Sequence, residues 1–322
     1  MPADRPFAPE AVAPPEPAPF TPGGAAEVHS HTAALVLLAL LALVWGVHWV
    51  VVKEGLAYVP PLTYAAARVA IGLVAMTALL AWQGRLRRPE RANAPIIATI
   101  GLVQIAAGVV IQSLALQVVA AGRSAVLLYT MPLWVALILA AVFGIRPRRN
   151  ELVGLVLGIG GLLLLLNPAV IDWGVPGELL GTLGLLANAV LWAGATIHVR
   201  RHRWTQSLLE LQPWQLLVAL VPLAVVAAAV EGGRGIRWEP FTLAALLYSG
   251  VLATAFATWA SQAITRSLGS QASATGFLAI PIVGLASGWL LLGERLGPAD
   301  VLGFGLVLGG VAATSLLPDR RS

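Results

Sequence analysis

The sequence predicts an all-α polytopic membrane protein, ten transmembrane helices arranged as two inverted five-helix repeats. Three observations predict it. The composition is apolar: 58% of the 322 residues are hydrophobic and 11% charged, with mean hydropathy +0.83, where a soluble domain carries about 25% charged residues. Ten stretches approach the roughly 20 apolar residues that a spanning helix needs. Finally, sliding the chain on itself by 149 positions, without a gap, pairs Ser124 with Ser273, Pro132 with Pro281, Arg146 with Arg295, Gly154 with Gly303, Gly160 with Gly309 and Gly161 with Gly310.

Residues 1–32 form a Pro- and Ala-rich tail, with prolines at 2, 6, 9, 14, 15, 17, 19 and 22. Too little apolar surface is available there to offset ordering entropy, so a disordered tail is expected. No basic n-region and cleavage pattern accompany it, so the first span is expected to stay attached. The spans follow at about 33–52, 62–82, 94–118, 124–143 and 150–166, which make the first repeat, 33–166. A linker, 167–178, leads to 179–199, 213–231, 241–264, 271–292 and 299–317, which make the second repeat, 179–317, and a short tail, 318–322. The breaks are expected at turn or charged residues, among them Pro60-Pro61, Gly84 to Arg91, Gly122-Arg123, Gly269 and Gly297-Pro298.

Basic residues orient these spans. With the N-terminus cytoplasmic, the inner set is Arg5, Arg85, Arg87, Arg88, Arg91, Arg146, Arg148, Arg149, Arg200, Arg201, Arg203, Arg266, Arg320 and Arg321. The outer set is Lys53, Arg123, Arg234, Arg237 and Arg295, and Arg68 lies within a span. That bias puts both termini in the cytoplasm and the linker 167–178 in the periplasm. Five spans per repeat then invert the second copy relative to the first. Prolines in corresponding spans of such a repeat point to a secondary transporter with its binding site between the repeats. The net charge of +5 reads as loop arginines that set topology, with no nucleic-acid partner. The chain has no cysteine, which excludes disulfides and thiolate chemistry.

The candidate substrate-binding residues are taken in chain order. Trp45 and Trp192 sit near the centres of the first span of each repeat, in Leu43-Val44-Trp45-Gly46 and Val190-Leu191-Trp192-Ala193; they either stack on a solute or fill the core. His48, three residues after Trp45, shares its helix face. As an ionisable group within a span it either meets substrate or packs neutral. Gln104, Gly108 and Gln112 recur every fourth residue of the third span. Pro132 and Pro281 each deprive a carbonyl four residues earlier of its helical partner, at Leu128 and Phe277. Those carbonyls face either a watery cavity or a neighbouring side chain, and Tyr129 stands beside the first. Asn188, Thr254 and Trp259, with Gln262, complete the set. Three residues are gating or ion-pair candidates: Lys53, Glu294, and Arg68, which either snorkels outward or pairs with Glu54 or Glu294. Gly154-x-x-x-Gly158 and Gly305-x-x-x-Gly309 are expected to pack helices, within the protomer or across a homodimer.

Trp45-Gly46 with Lys53, Arg68, Pro132, Pro281 and Leu292-Gly293-Glu294-Arg295-Leu296 together resemble an EamA-type ten-helix member of the drug/metabolite transporter superfamily. The resemblance covers nearly everything after residue 32. It departs from the family at Gly144-Ile145-Arg146, where the fourth span often ends in Gly-Glu-Arg, so Glu294 has no counterpart. The resemblance implies alternating-access transport of small organic metabolites such as amino acids, often export, in the inner (plasma) membrane of a bacterium. The expected partners are the lipid bilayer and a small-molecule substrate, with proton or counter-substrate coupling left open. No Walker sequence supplies ATP, and no metal or other cofactor is expected. An intramembrane enzyme is the alternative, but no His-Glu-x-x-His or Gly-x-Ser-x-Gly occurs. A channel or a structural subunit is a third reading; a channel would be expected to show a selectivity ring or pore-lining stripe, and neither is visible.

Overall fold

A chain surrounded by hydrocarbon must satisfy its own N–H and C=O groups, and the apolar stretches fold as helices accordingly. The computed structural model describes residues 31–145, 147–167 and 173–316. The tail up to residue 30, the tail 318–322, Arg146 and much of the linker lie outside the described residues. Among those described there is no strand.

The helices are α1 His31–Gly55, α2 Pro61–Trp82, α3 Ala94–Ala98, α4 Gly108–Ala115, α5 Ala121–Leu128, α6 Met131–Phe143, α7 Arg149–Leu165 and α8 Glu178–Arg201. Then come α9 Leu208–Glu231, α10 Pro240–Leu247, α11 Ala257–Phe277, α12 Ala279–Leu292 and α13 Pro298–Leu316. Wide π-helical turns, Thr99–Ala107 and Tyr248–Phe256, join α3 to α4 and α10 to α11. By length and composition, seven helical stretches among the described residues can cross a membrane. Ala279–Leu292 and Pro298–Ala313 are shorter apolar helices, and α7 has 17 residues.

Two expectations change. Gly269 does not interrupt the helix, since α11 runs through it to Phe277. A single glycine weakens a helix without necessarily ending it. The reversal is made within helical turns: Ser273 Oγ donates to the carbonyl of Ile264, nine residues earlier, at 3.3 Å. A straight helix would hold those residues about 13 Å apart. Pro132 and Pro281, in turn, are not kinks in continuous helices. The chain breaks at Tyr129-Thr130 and at Leu278, and each proline stands in the first turn of a new helix, α6 or α12. There its missing N–H costs no intrahelical bond. Thr130 closes the first break, its Oγ1 donating to the Leu127 carbonyl at 2.7 Å and its own carbonyl accepting from Leu133 N at 2.9 Å.

The 149-residue register is visible in the backbone. It carries one π turn onto the other and one helix break onto the other. It also superposes Gly144 on Gly293, which end α6 and α12 at φ +66° and +65°, a left-handed conformation that suits glycine. Packing is reciprocal: α1 lies on α12 and α8 on α6, while α2 meets the second π turn and α9 the first. The pair α7 and α13 packs closest. A Cβ at Gly161 would fall 2.6 Å from the Gly303 carbonyl, and one at Gly310 2.6 Å from the Gly154 carbonyl. With little hydrophobic drive between helices in lipid, such close approach supplies the attraction. Gly305 and Gly309 face open space, so the second expected motif is displaced to Gly303 and Gly310. Val74 (68% exposed), Leu180 (75%) and Leu290 (66%) point outward, a liability in water and an ordinary lipid contact in a bilayer.

Candidate functional site

The polar side chains gather where α1, α2, α4 and α8 meet the two π turns. From α1, Trp45 Nε1 donates to the carbonyl of Ala253 at 2.9 Å, and its ring meets Phe277 edge-on at 6.5 Å. His48, one turn on, is buried and stacks on Tyr248 with centroids 6.3 Å apart. The Tyr248 hydroxyl donates to the Val44 carbonyl at 2.9 Å, so the second π turn is pinned to α1 on both sides of Trp45. A π turn makes this geometry by widening the helix and re-aiming its side chains.

From α2, Arg68 Nη1 donates to Gln112 Oε1 of α4 at 3.3 Å. The expected carboxylate partners are not there: Glu54 is exposed and Glu294 is taken by Lys53. One turn before Arg68, Tyr64 is fully buried, its hydroxyl 2.7 Å from Ser249 Oγ. From α8, Asn188 Nδ2 donates to the Gly108 carbonyl at 3.2 Å. Thr254 spends its hydroxyl within the π turn, on the Ser249 carbonyl at 2.8 Å. Trp259 packs against Phe256 at 5.8 Å.

Several buried atoms here have no partner among the described residues: His48 Nε2, Arg68 Nε, Asn188 Oδ1, Gln212 Oε1, Gln215 Nε2 and Gln262 Nε2. Such groups are costly when buried and unpaired. Gln212 and Gln215, in the first turns of α9, are not among the sequence candidates: Gln212 falls just before the seventh span, 213–231, and Gln215 just inside its start. Their three-residue spacing, which puts both on one helix face, is the signal that marks them. Gln104, Tyr129 and Trp192 are half-buried, and Gln104 makes no hydrogen bond to the described residues. Trp192 lacks the carbonyl contact that Trp45 makes, so the matched tryptophans have different surroundings. Pro132 stands in the first turn of α6 and Pro281, buried, in that of α12.

One end of the helices is tied across the two repeats. Glu294 accepts from the amides of Ala121 (2.6 Å) and Gly122 (3.0 Å) and from Lys53 Nζ (3.2 Å), while Lys53 also donates to the Val119 carbonyl at 3.0 Å. The carboxylate thereby sits at the N-terminus of α5, where free N–H groups and the helix dipole favour it. Beside it Arg123, expected as a loop charge, is buried. It pairs with Glu178 Oε1 at 2.9 Å and donates to the Leu165 carbonyl at the end of α7. Glu231 caps α2 in the same way, accepting from Leu62 N (3.1 Å), Thr63 N (2.8 Å) and Thr63 Oγ1 (2.9 Å). At the opposite end Arg85 pairs with Glu210 at 3.2 Å, and Asn93 Nδ2 donates to Thr205 Oγ1 (2.8 Å) and Gln206 Oε1 (3.0 Å).

Comparison with known proteins places this arrangement in context. The model of the EamA-like transporter family matches residues 32–167 and 179–316. A Bacillus subtilis (strain 168) protein named as an uncharacterized transporter, YoaV, is 26% identical over 89% of this chain and 98% of its own length. A probable amino-acid metabolite efflux pump of Escherichia coli (strain K12) is 28% identical over 86% of this chain and 92% of its own. A solved crystal structure of another protein superposes with TM-score 0.60 at 22% identity, covering 91% of this chain and 99% of that one, a likeness of fold alone.

Proposed function

The chain belongs to the EamA-like transporter family, and from that premise we propose that it exports a small organic metabolite, an amino acid or a close relative, by alternating access. It is a multi-pass membrane transporter. In this reading it works in a bacterial inner membrane, as ten spans in two inverted five-helix repeats with both termini cytoplasmic. The related protein named as a probable amino-acid metabolite efflux pump and another named as an uncharacterized inner membrane transporter, YedA, of Escherichia coli support the substrate class and the membrane.

The observation that carries the proposal is the set of enclosed polar atoms without partners among the described residues, contributed by both repeats: His48 and Arg68 from one, Asn188, Gln212, Gln215 and Gln262 from the other. Helix-to-helix hydrogen bonds would have consumed these groups had packing been their only purpose. A solute with donors and acceptors completes them, and Trp45, Tyr248 and Phe277 provide apolar walls. The bonds of Glu294 and Arg123 hold the Lys53 end together across the repeats; opening that end requires breaking them. The half-molecules then rock about the close α7–α13 and α2–α9 packing.

The test is efflux from proteoliposomes loaded with radiolabelled amino acids, with and without an imposed proton gradient. Release of at least one amino acid faster than from protein-free liposomes, slowed by Trp45→Ala, is the expected result. Release at the protein-free rate for every amino acid under either condition would count against the reading.

A further inference from the structure

Arg68 is a cation set seven residues into α2, and the described residues supply it with no counter-charge. The ion pairs among the described residues join Lys53 to Glu294, Arg85 to Glu210 and Arg123 to Glu178; none reaches Arg68. Its guanidinium has five N–H donors. One rests on the neutral Gln112 amide at 3.3 Å, and Nε is enclosed without a partner. His48 and Tyr64 lie within its electrostatic reach, and His48 offers its own unpartnered Nε2. Arginine keeps its charge, and a buried charge left unpaired is costly. Resting on the transport reading above, we propose that the missing charge arrives with the solute: Arg68, aided by His48, receives a carboxylate, and the substrates are small monocarboxylates with an apolar or aromatic body.

The fork of a guanidinium matches the two oxygens of a carboxylate. Arg68 is the basic residue within a span, every other lysine or arginine belonging to an end or a loop of the sequence-derived spans. A single cation suits a monoanion; a phosphate dianion would call for more. The aromatic side chains follow the same order. Trp45 stands one turn from His48 on α1, with Phe277 against its ring, and Tyr248 covers His48. A carboxylate held at Arg68 therefore leaves its body among aromatic rings.

The experiment uses the full-length protein, purified and reconstituted. Thermal stabilisation is measured with 3-phenylpropionate, L-phenylalanine, L-phenylalaninamide, phenethylamine and phenyl phosphate at equal ionic strength, in wild type, Arg68→Met and Arg68→Lys. The expected result is that the two carboxylates stabilise wild type and bind about tenfold or more tighter than the amide and amine, as a charge-assisted pair predicts. Arg68→Met raises the melting temperature without ligand, because an uncompensated cation is gone, and abolishes the carboxylate effect; Arg68→Lys retains part of it. The proposal is overturned if no carboxylate stabilises wild type, if amide and amine bind as well as the acids, if phenyl phosphate binds tightest, or if Arg68→Met destabilises the ligand-free protein. Transport separates the two readings. Liposomes that move amine and amide as fast as the acids retain the transporter and lose the carboxylate site. Protein that binds the acids in the expected pattern but moves none keeps the site and loses the transporter.

Discussion

Glu294 caps a helix that belongs to the other sequence repeat: its two carboxylate oxygens accept from the amides of Ala121 and Gly122, at 2.6 and 3.0 Å. A glutamine there has one acceptor oxygen and turns its NH₂ towards a second donor. Glu294→Gln should therefore destabilise the protein by about 2 kcal/mol, read as a lowered melting temperature in detergent. The chain has no cysteine, so Ser124→Cys, fully buried one turn inside the cap, provides a clean reporter. Its labelling by an impermeant maleimide should rise several-fold in the Glu294→Gln background.

Arg123 and Glu178 answer a different question, since both are buried and each is the other's counter-charge. Glu178→Gln leaves a buried guanidinium behind and should cost about 3 kcal/mol or more. The double variant Arg123→Met with Glu178→Leu should cost less than the sum of the single changes. Additive losses across that double-mutant cycle, measured by thermal or urea unfolding, would show that the two do not act as a pair.

Glycines of the α7–α13 pair should behave differently according to what each faces. Gly161→Ala puts a methyl 2.6 Å from the Gly303 carbonyl, which forces α7 and α13 apart and should lower stability by about 1–3 kcal/mol. Gly305→Ala and Gly309→Ala enter open space and should be neutral or stabilising by up to about 1 kcal/mol through helix propensity. Melting temperatures of the three variants decide it.

His202, at the end of α8 outside the span, gives a pH signature. Its Nε2 lies 3.0 Å from Asn93 Oδ1 and its ring meets Trp204 edge-on at 5.1 Å. Loss of solvent first, and neighbouring His198 second, hold its pKa below the ordinary 6.5. The unfolded chain thus takes up a proton more readily than the folded one. The contribution is whole above pH 6.5 and is lost as pH falls through the lowered folded value. Melting temperature should drop on acidification through that window, and His202→Gln should flatten the drop.

The helical fold and its repeat were legible because both are written in hydropathy and in residue identity. Pro132 with Pro281 and Gly144 with Gly293 survive as sequence matches, and the backbone breaks and caps at those places. The π turns were not legible: each packs on a helix distant in sequence, α9 or α2, and composition does not distinguish nine residues in a wide turn from nine in a narrow one. Among the candidate site residues, Trp45, His48 and Asn188 stand out in the sequence because polar or aromatic groups are rare within spans. Arg68 stands out too, but its neighbour differs from the one expected, because charge complementarity favours a carboxylate and the fold offers the Gln112 amide. Arg123 and Glu178 were passed over as loop charges. Nothing local shows that a short loop between helices becomes enclosed.

Gly101 and Gly250 correspond in the 149-residue register, each within a π turn. A Cβ at Gly101 would lie 2.7 Å from the Gln215 carbonyl of α9, and one at Gly250 2.9 Å from the Arg68 carbonyl of α2. Each glycine thus serves a contact with the opposite repeat, made twice with the roles exchanged. That is how an isologous interface is built, one surface meeting a second copy of itself. A chain of half this length, pairing with its own duplicate, would make both contacts with a single glycine. Two copies joined in one chain can differ where a single copy could not, as Glu294 and Ile145 do at corresponding positions.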